Sequence, residues 1–545
     1  MNFERDEIML PLTRSGLVRY LSATLVAVFI FAMGSERAHA EDMAFKQAVA
    51  EAAALDRDIA EFYRDAGYAP VWTGKSGKDR KRRSALIAAL DNAALHGLPS
   101  DRYNTDALTR MLKSVRSPRD LGQVEVALSK AFVSYARDVQ TGILTPSKVD
   151  GDIKRKVMLR DRKSYLTSFV QSSPAAFLRS LPPQSAEYAR LLKARLKLEQ
   201  VVARGGWGAK VPGKKLEQGN AGNSVVVLRN RLIAMGYLKR SSTRSYDAAM
   251  AQAVQTFQSA HGLETDGVAG GITLQEINVT AEKRLKSVLV AMERERWFNR
   301  ELGKRHVLVN LTDYTAKIVD NGKVTFRTRS VVGANKSDRR SPEFSDVMEH
   351  MIINPTWNVP RSIAVKEYLP MMKRNPNAAG HLNLLDGRGR SVSRANIDFS
   401  QYNERNFPFD LKQPPSRSNA LGLVKFMFPN RYNIYLHDTP AKNLFARETR
   451  AYSHGCIRLH QPFDFAYALL KPQSSDPKGE FHGHLKTGRE TKVDLVSKVP
   501  VHIIYRTAVT TAKGDLEFRR DVYGRDGRIW AALSRAGVAL GAVQG

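Results

Sequence analysis

The sequence predicts a multidomain α+β chain, helical in its first half and mainly β beyond residue 304, and three observations carry that prediction. At about 150 residues per domain, 545 residues point to three or four domains rather than one core. Apolar residues recur at helical spacing over 41–203 and again over 216–278, then switch to the alternation of strands. Between the helical blocks, Arg204-Gly205-Gly206 through Gly213-Lys214-Lys215 reads as a linker. The composition is globular, with 43% hydrophobic and 26% charged residues. A single cysteine excludes an intramolecular disulfide and a zinc site built on several cysteines.

Lys and Arg number 85 against 54 Asp and Glu, a net charge of +31 that calls for polyanionic surroundings: nucleic acid, anionic membrane or an acidic wall polymer. The N-terminus chooses among them. Arg14 and Arg19 precede an apolar run from Tyr20 to Met33, and Ala38-His39-Ala40 follows. A basic flank, a short apolar segment and an A-x-A site mark a secretory leader over 1–40. The run is short of the about 20 residues that span a bilayer comfortably. Left uncleaved, it would act as a signal anchor and hold the chain near the membrane. Either way the bulk is exported, which disfavours nucleic acid as partner for the positive charge.

Over 41–203, segments such as Ser84 to Leu90 and Val124 to Val139 read as helices, parted by His96-Gly97-Leu98-Pro99 and Leu181-Pro182-Pro183. This region has no acid/base pair and no metal-ligand spacing, and it is read as a scaffold. In 216–278, Val225, Leu228, Leu232 and Met235 form one apolar stripe, which Gly236 ends. Ala249, Ala253, Val254 and Phe257 form a second. Val225-x-x-Leu228-Arg229, Ala253-Val254-x-x-Phe257-Gln258, His261-Gly262-Leu263, Asp266-Gly267-Val268 and Gly270-x-x-Thr273 together resemble the peptidoglycan-binding helical module.

From His306 the chain reads as strands: His306 to Asn310, Ala316 to Val319 and Val324 to Phe326. Asn321-Gly322 between the last two signals a hairpin, because a type I′ turn needs positive φ at both central residues. Met351 to Ile353, Leu423 to Phe428 and Val501 to Tyr505 are further strands, and Tyr432 to His437 is expected to pair with the second of these through Pro429-Asn430. Pro360 to Pro415 dissolves into Pro, Asn, Arg and Gly, too long for a loop and therefore an inserted subdomain. Residues 508–545 form a C-terminal extension to a catalytic domain over 304–507.

Cys456 lies in Tyr452-Ser453-His454-Gly455-Cys456-Ile457-Arg458-Leu459, and Tyr435-Leu436-His437-Asp438-Thr439 precedes it. A thiol becomes a strong nucleophile when a histidine takes its proton or a positive field stabilises the thiolate. Strand alternation puts Asn433, Tyr435 and His437 on one face. Gly455 permits a sharp bend that frees nearby N–H groups for an oxyanion, and Arg458 can face the same side to raise the potential or grip a carboxylate. A buried, inert cysteine is the plainer alternative, and the polar neighbours argue against it. His437, His454, Cys456 and His460 lack a metal-site spacing.

His437-Asp438-Thr439 followed by Arg450 to Arg458 resembles the signature of the L,D-transpeptidases, peptidoglycan cross-linking enzymes with a catalytic cysteine. Phe62-Tyr63, Pro70-Val71-Trp72, His96-Gly97-Leu98, Met292-Glu293-Arg294 and Asn354 to Pro360 resemble their large Gram-negative branch, which joins a helical scaffold, a peptidoglycan-binding module and a β-rich catalytic domain with a capping insertion. The resemblance implies Cys456 as nucleophile, His437 as general base and the backbone carbonyl of Asp438 as orienter of the imidazole. N–H groups of Gly455 and Cys456 would hold the oxyanion, and His454 would assist or shape the loop. Trp357, Tyr435, Ser453 and Arg458 are the candidates for binding substrate. Tetrapeptide stems of peptidoglycan are the implied substrate, carbapenem-type β-lactams the implied covalent inhibitors, and no metal or organic cofactor is implied.

The charge gives a first prediction. Attraction between exposed charges is largely screened beyond about 8 Å at physiological salt. Binding to purified sacculi should therefore weaken steadily from low to high salt, while thioester formation with a small β-lactam barely changes. Sacculus affinity that stays flat with ionic strength would remove wall attraction as the role of the charge.

Overall fold

The structure is a computed structural model that describes residues 39–540; the predicted leader lies outside them except for its last two positions. Among the described residues no helix is long and apolar enough to cross a membrane. The chain divides into two compact units, the first holding 39–140 and 159–182, the second 141–158 and 183–540. The stretches 141–158 and 183–203, read with the scaffold from sequence, thus group with the catalytic region.

In the first unit, helices including Arg57–Asp65, Gly77–Asp91, Pro118–Thr141 and Arg162–Gln171 surround a core of Trp72, Phe132, Phe169 and Phe177. Trp72 stacks on Phe169 with ring centroids 5.1 Å apart. The buried Glu125 carboxylate accepts from the N–H groups of Val71 (2.6 Å) and Thr73 (2.8 Å) and from the Tyr63 hydroxyl (2.7 Å). A buried charge satisfied on several sides fixes the chain it touches, which accounts for both the Phe62-Tyr63 and the Pro70-Val71-Trp72 motifs.

In the second unit, helix Ala186–Ala203 packs its Tyr188, Leu191 and Leu198 on Leu285, Val288 and Met292 of helix Ala281–Trp297. Helices Asn223–Ala234, Ala248–His261 and Gly271–Ile277 form the small module around Leu228, Leu232, Val254 and Phe257. Its second helix starts at Asp247, which caps Met250 N–H, and ends at Gly262 with φ +65°.

The β region contains β1 (Arg305–Asn310), β2 (Thr315–Asp320), β3 (Lys323–Gly333), β4 (Phe344–Ile353), β5 (Trp357–Asn358), β6 (Asn383–Leu385), β7 (Asp410–Gln413), β8 (Val424–Met427), β9 (Leu436–His437), β10 (Ala451–Ser453), β11 (Ile457–Leu459) and β12 (Thr491–Ile504). Nine of them run in the order β10-β3-β11-β9-β8-β4-β12-β1-β2, and since β2 also pairs with β3 the sheet closes on itself. The turn at Asn321-Gly322 has φ +49° and +78°, as the Asn-Gly pair requires. The insertion has its own core around Leu384, Phe399 and Leu411, with a sheet in the order β5-β7-β6.

One expected strand is shorter than the sequence suggests. Tyr432 to His437 contracts to β9, and Asn433 turns to φ +53°. The Asn430 side chain is the cause. Its amide donates to the carbonyls of Phe428 and Ile434, and its oxygen accepts from Tyr432 N–H at 3.0 Å, so a side-chain-built loop replaces the ladder.

The extension after β12 is structured: β13 (Ala508–Thr510) and β14 (Leu516–Phe518) form a hairpin, and helix Arg525–Arg535 follows. Arg294 joins it to the rest, donating to Glu343 at 2.7 Å and to Asp526 at 3.0 Å, while Arg525 reaches the same Glu343 at 3.1 Å. All four side chains are buried. Removing one member of such a cluster strands the opposite charges without solvent. Arg294→Ala should therefore destabilise this unit by about 3–5 kcal/mol in denaturant unfolding; a loss under about 1 kcal/mol would show that the cluster does not bind the extension.

Candidate active site

Parallel pairing of β9 with β11 sets Leu436 opposite Ile457 and His437 opposite Arg458. Leu436 and Ile457 enter the core of the closed sheet. Alternation then puts His437 and Arg458 on the other face, with Tyr435 and Cys456 two residues back, just ahead of β9 and β11. The sequence-predicted residues Cys456, His437, Tyr435 and Arg458 are thus brought together, whereas Asn433 contributes its carbonyl, which accepts from the Cys456 thiol at 3.4 Å.

His437 is buried, and its Nδ1 lies 2.5 Å from the carbonyl oxygen of Asp438. A carbonyl only accepts, so Nδ1 carries the proton and the neutral ring keeps its lone pair on Nε2. Burial, with Arg458 adding to it, pushes the imidazole down to about 3, against the pull of the Asp438 and Leu421 carbonyls. The ring is therefore neutral across the physiological range. The Asp438 carboxylate is engaged elsewhere: it accepts from Leu423 N–H at 2.9 Å and pairs with Lys442 at 2.5 Å. Gly422 makes room for it, since a Cβ there would sit 2.3 Å from Asp438 Oδ2.

Burial pushes the Cys456 thiol up to about 11; hydrogen bonds from the Tyr435 backbone and side chain and the charge of Arg458 oppose this without cancelling it. Tyr435 also sets its ring 5.7 Å from that of His437, edge to face. Among the described residues no hydrogen bond joins Cys456 to His437. The resting site is a neutral thiol beside a neutral imidazole, and such contacts often tighten only once substrate is bound.

Arg458 has a buried Nε without a hydrogen-bond partner, and burial lowers its pKa. A desolvated guanidinium with spare donors suits a carboxylate. His454 Nε2 lies 2.5 Å from Glu367, which also accepts from Arg339 at 2.7 Å. Glu367 sits in a π-helical turn, Ala364–Tyr368, of the insertion. Ser453 is buried, its carbonyl accepting from Ala334 N–H at 2.7 Å. Trp357 is buried in the core of the insertion, beside Tyr368. Sequence alternation grouped Asn433 with Tyr435 and His437 but not its carbonyl with the thiol, and carried no signal for Glu367 or for Ser341, whose hydroxyl donates to the Gly455 carbonyl at 2.6 Å. Among the described residues no group of three or more His, Cys, Asp or Glu side chains is placed to hold a metal ion.

A thiol raised to about 11 is protonated at neutral pH and gains reactivity only as pH climbs toward that value. Alkylation of Cys456 by iodoacetamide should therefore be slower at pH 7 than that of a free thiol, and should rise to a midpoint well above the ordinary value of about 8.5. A plateau beginning near pH 6 would reveal a thiolate–imidazolium pair instead.

The chain matches three family models: a "Scaffold domain" over residues 57–194, a "Putative peptidoglycan binding domain" over 221–277 and the YkuD "L,D-transpeptidase catalytic domain" over 304–478. It is similar to a "Putative L,D-transpeptidase" of Haemophilus influenzae, 33% identical over 225 residues, 41% of this chain and 45% of that relative. The chain thus spans less than half the length of this relative. Crystal structures of L,D-transpeptidases from Xylanimonas cellulosilytica (14% identity, 54% of this chain, 98% of that one, TM-score 0.16) and Stackebrandtia nassauensis (16%, 54%, 96%, 0.21) align too loosely to bear on the fold. Matches to the catalytic domain, the wall-binding module and a curated relative agree, and over 304–478 the chain is similar to the L,D-transpeptidase catalytic domain.

Proposed function

We propose that the protein is a periplasmic L,D-transpeptidase that cross-links peptidoglycan stems through a thioester on Cys456. The observation that carries this reading is the Nδ1–carbonyl contact of His437, which leaves Nε2 as the ring's basic atom on the face that also bears Cys456. The thiol and imidazole are neutral at rest, so His437 takes the proton as sulfur attacks the diaminopimelate carbonyl of a tetrapeptide stem. The C–S bond forms and the carbonyl oxygen becomes an oxyanion, held by N–H groups at Gly455 and Cys456. Collapse breaks the C–N bond, and the departing D-alanine amine takes the proton from His437. The side-chain amine of a second stem then attacks the thioester and passes its excess proton to His437; the C–N bond stays as the C–S bond breaks, and the leaving sulfur takes that proton back from His437. Arg458 binds a stem carboxylate, Tyr435 lines the thiol, and the module over 221–277 raises the local concentration of wall polymer.

Water, a free D-amino acid or a protein lysine would give hydrolysis, exchange or attachment from the same thioester. A wall-binding protein without turnover is the reading from another class. Incubation with a carbapenem followed by intact mass measurement separates the classes, and product analysis on intact sacculi separates the acceptors. New diaminopimelate–diaminopimelate links are expected, and they should fall by about a hundredfold or more in Cys456→Ser and His437→Ala. Wild-type protein that takes no adduct on Cys456 would leave only the binder. Chelator should change nothing; activity lost in EDTA and restored by zinc would demand a metal.

A further inference from the structure

We propose that Ser341 is a positioning residue for acyl transfer: it holds the Gly455–Cys456 peptide so that the Cys456 N–H faces the forming oxyanion, and the C-terminal segment holds Ser341. This rests on the reading of Cys456 as nucleophile. Ser341 lies between β3 and β4 and is fully buried, at 0% exposure. Its hydroxyl oxygen accepts from Gly333 N–H at 2.9 Å, and its proton goes to the Gly455 carbonyl at 2.6 Å. Among the described residues no peptide bond is cis, and across a planar trans peptide the C=O and the following N–H point to opposite sides. With the Gly455 carbonyl drawn into the interior, the Cys456 N–H is turned outward. An acyl group on Cys456 sulfur would place its oxygen within reach of that same residue's N–H.

The surrounding geometry leaves the loop little freedom. Gly455 has φ +111°, and a Cβ there would meet Ile434 at 3.2 Å. A Cβ on Gly333 would lie 2.0 Å from the Arg339 carbonyl oxygen, so only glycine lets the segment carrying Ser341 fold over β3. Two residues of the extension then fasten that segment. Arg525 donates to the Ser341 carbonyl at 2.9 Å, and the Tyr523 hydroxyl donates to the Gly333 carbonyl at 2.6 Å. Both are buried, and both lie beyond residue 478, where the family match to the catalytic domain stops. The hydroxyl of Ser341 is thus the last link of a relay running from the C-terminal helix to the nucleophile's own peptide group.

Acylation builds an oxyanion, whereas alkylation by iodoacetamide builds none, and that difference isolates the role. On the full-length protein, Ser341→Ala should lower the limiting rate of Cys456 acylation by a saturating carbapenem about 10- to 100-fold. Half-saturation and the iodoacetamide rate at the same pH should stay near wild type. Ser341→Thr, which keeps the hydroxyl, should recover most of the acylation rate. Should Ser341→Ala fail to fold, as read by circular dichroism, Tyr523→Phe removes only a hydroxyl from the relay and should show the same split with a smaller loss. Acylation at the wild-type rate in the variant that folds, or acylation and alkylation falling together, would overturn the positioning role while the nucleophile stands. A wild-type protein with no adduct on Cys456 would overturn both.

Discussion

Glu343 is shared by two guanidinium groups in an interior that offers it no water, and the rest of the catalytic unit is arranged around that constraint. Arg294 arrives from the helix that precedes the β region, Arg525 from the extension that follows it, and Glu343 from the segment entering β4. Each of these charges alone would be expensive to bury, so the three segments are stable only in one another's company. The flanks of the catalytic domain are therefore parts of its interior. The segment that carries Glu343 also carries Ser341, two residues earlier, and the Ser341 hydroxyl reaches the Gly455 carbonyl of the cysteine loop.

The site trades reactivity at rest for control. Desolvation drives His437 toward about 3 and Cys456 toward about 11, so neither is charged at neutral pH although they occupy one face. Arg458 is the charged group among the four, and it depresses both neighbouring values; it favours a thiolate and disfavours an imidazolium. A thiolate–imidazolium pair would be reactive toward any electrophile at any moment. With both groups neutral, the resting thiol is held back from electrophiles in general.

What could be read from the sequence was local. The change from helical to alternating periodicity, the Asn321-Gly322 turn and the face shared by Tyr435 and His437 all follow from residues within a few positions of one another, and all are present. Asn430 was legible as a turn residue, but not as the side chain that replaces strand pairing out to Ile434. The supports of the cysteine loop were not legible. Ser341 is 114 positions from Gly455, Glu367 is 87 from His454, and Arg525 is 184 from Ser341. No periodicity or spacing rule reaches that far, and serine, glutamate and arginine are ordinary surface residues until the fold gives them partners. Trp357 illustrates the converse: an aromatic ring beside a motif reads as a substrate platform, and the fold spends it on the insertion's core.

The matched catalytic segment, 304–478, is smaller than the unit that folds. β12 begins at Thr491, and it pairs with β1 on one side and β4 on the other. A chain ending at 478 would leave both of those strands with unpaired edges and the closed sheet open. It would also lack Tyr523 and Arg525, so Gly333 and Ser341 would lose their fastening even though Cys456 and His437 were both present. Cys456 and His437 lie at two adjacent strands, but the peptide at Gly455 is held by contacts made after the motif has ended. In this closed sheet the strand that joins β1 to β4 is also the last of the nine in the chain. The loop carrying Cys456 therefore draws its support from a segment that lies beyond the motif.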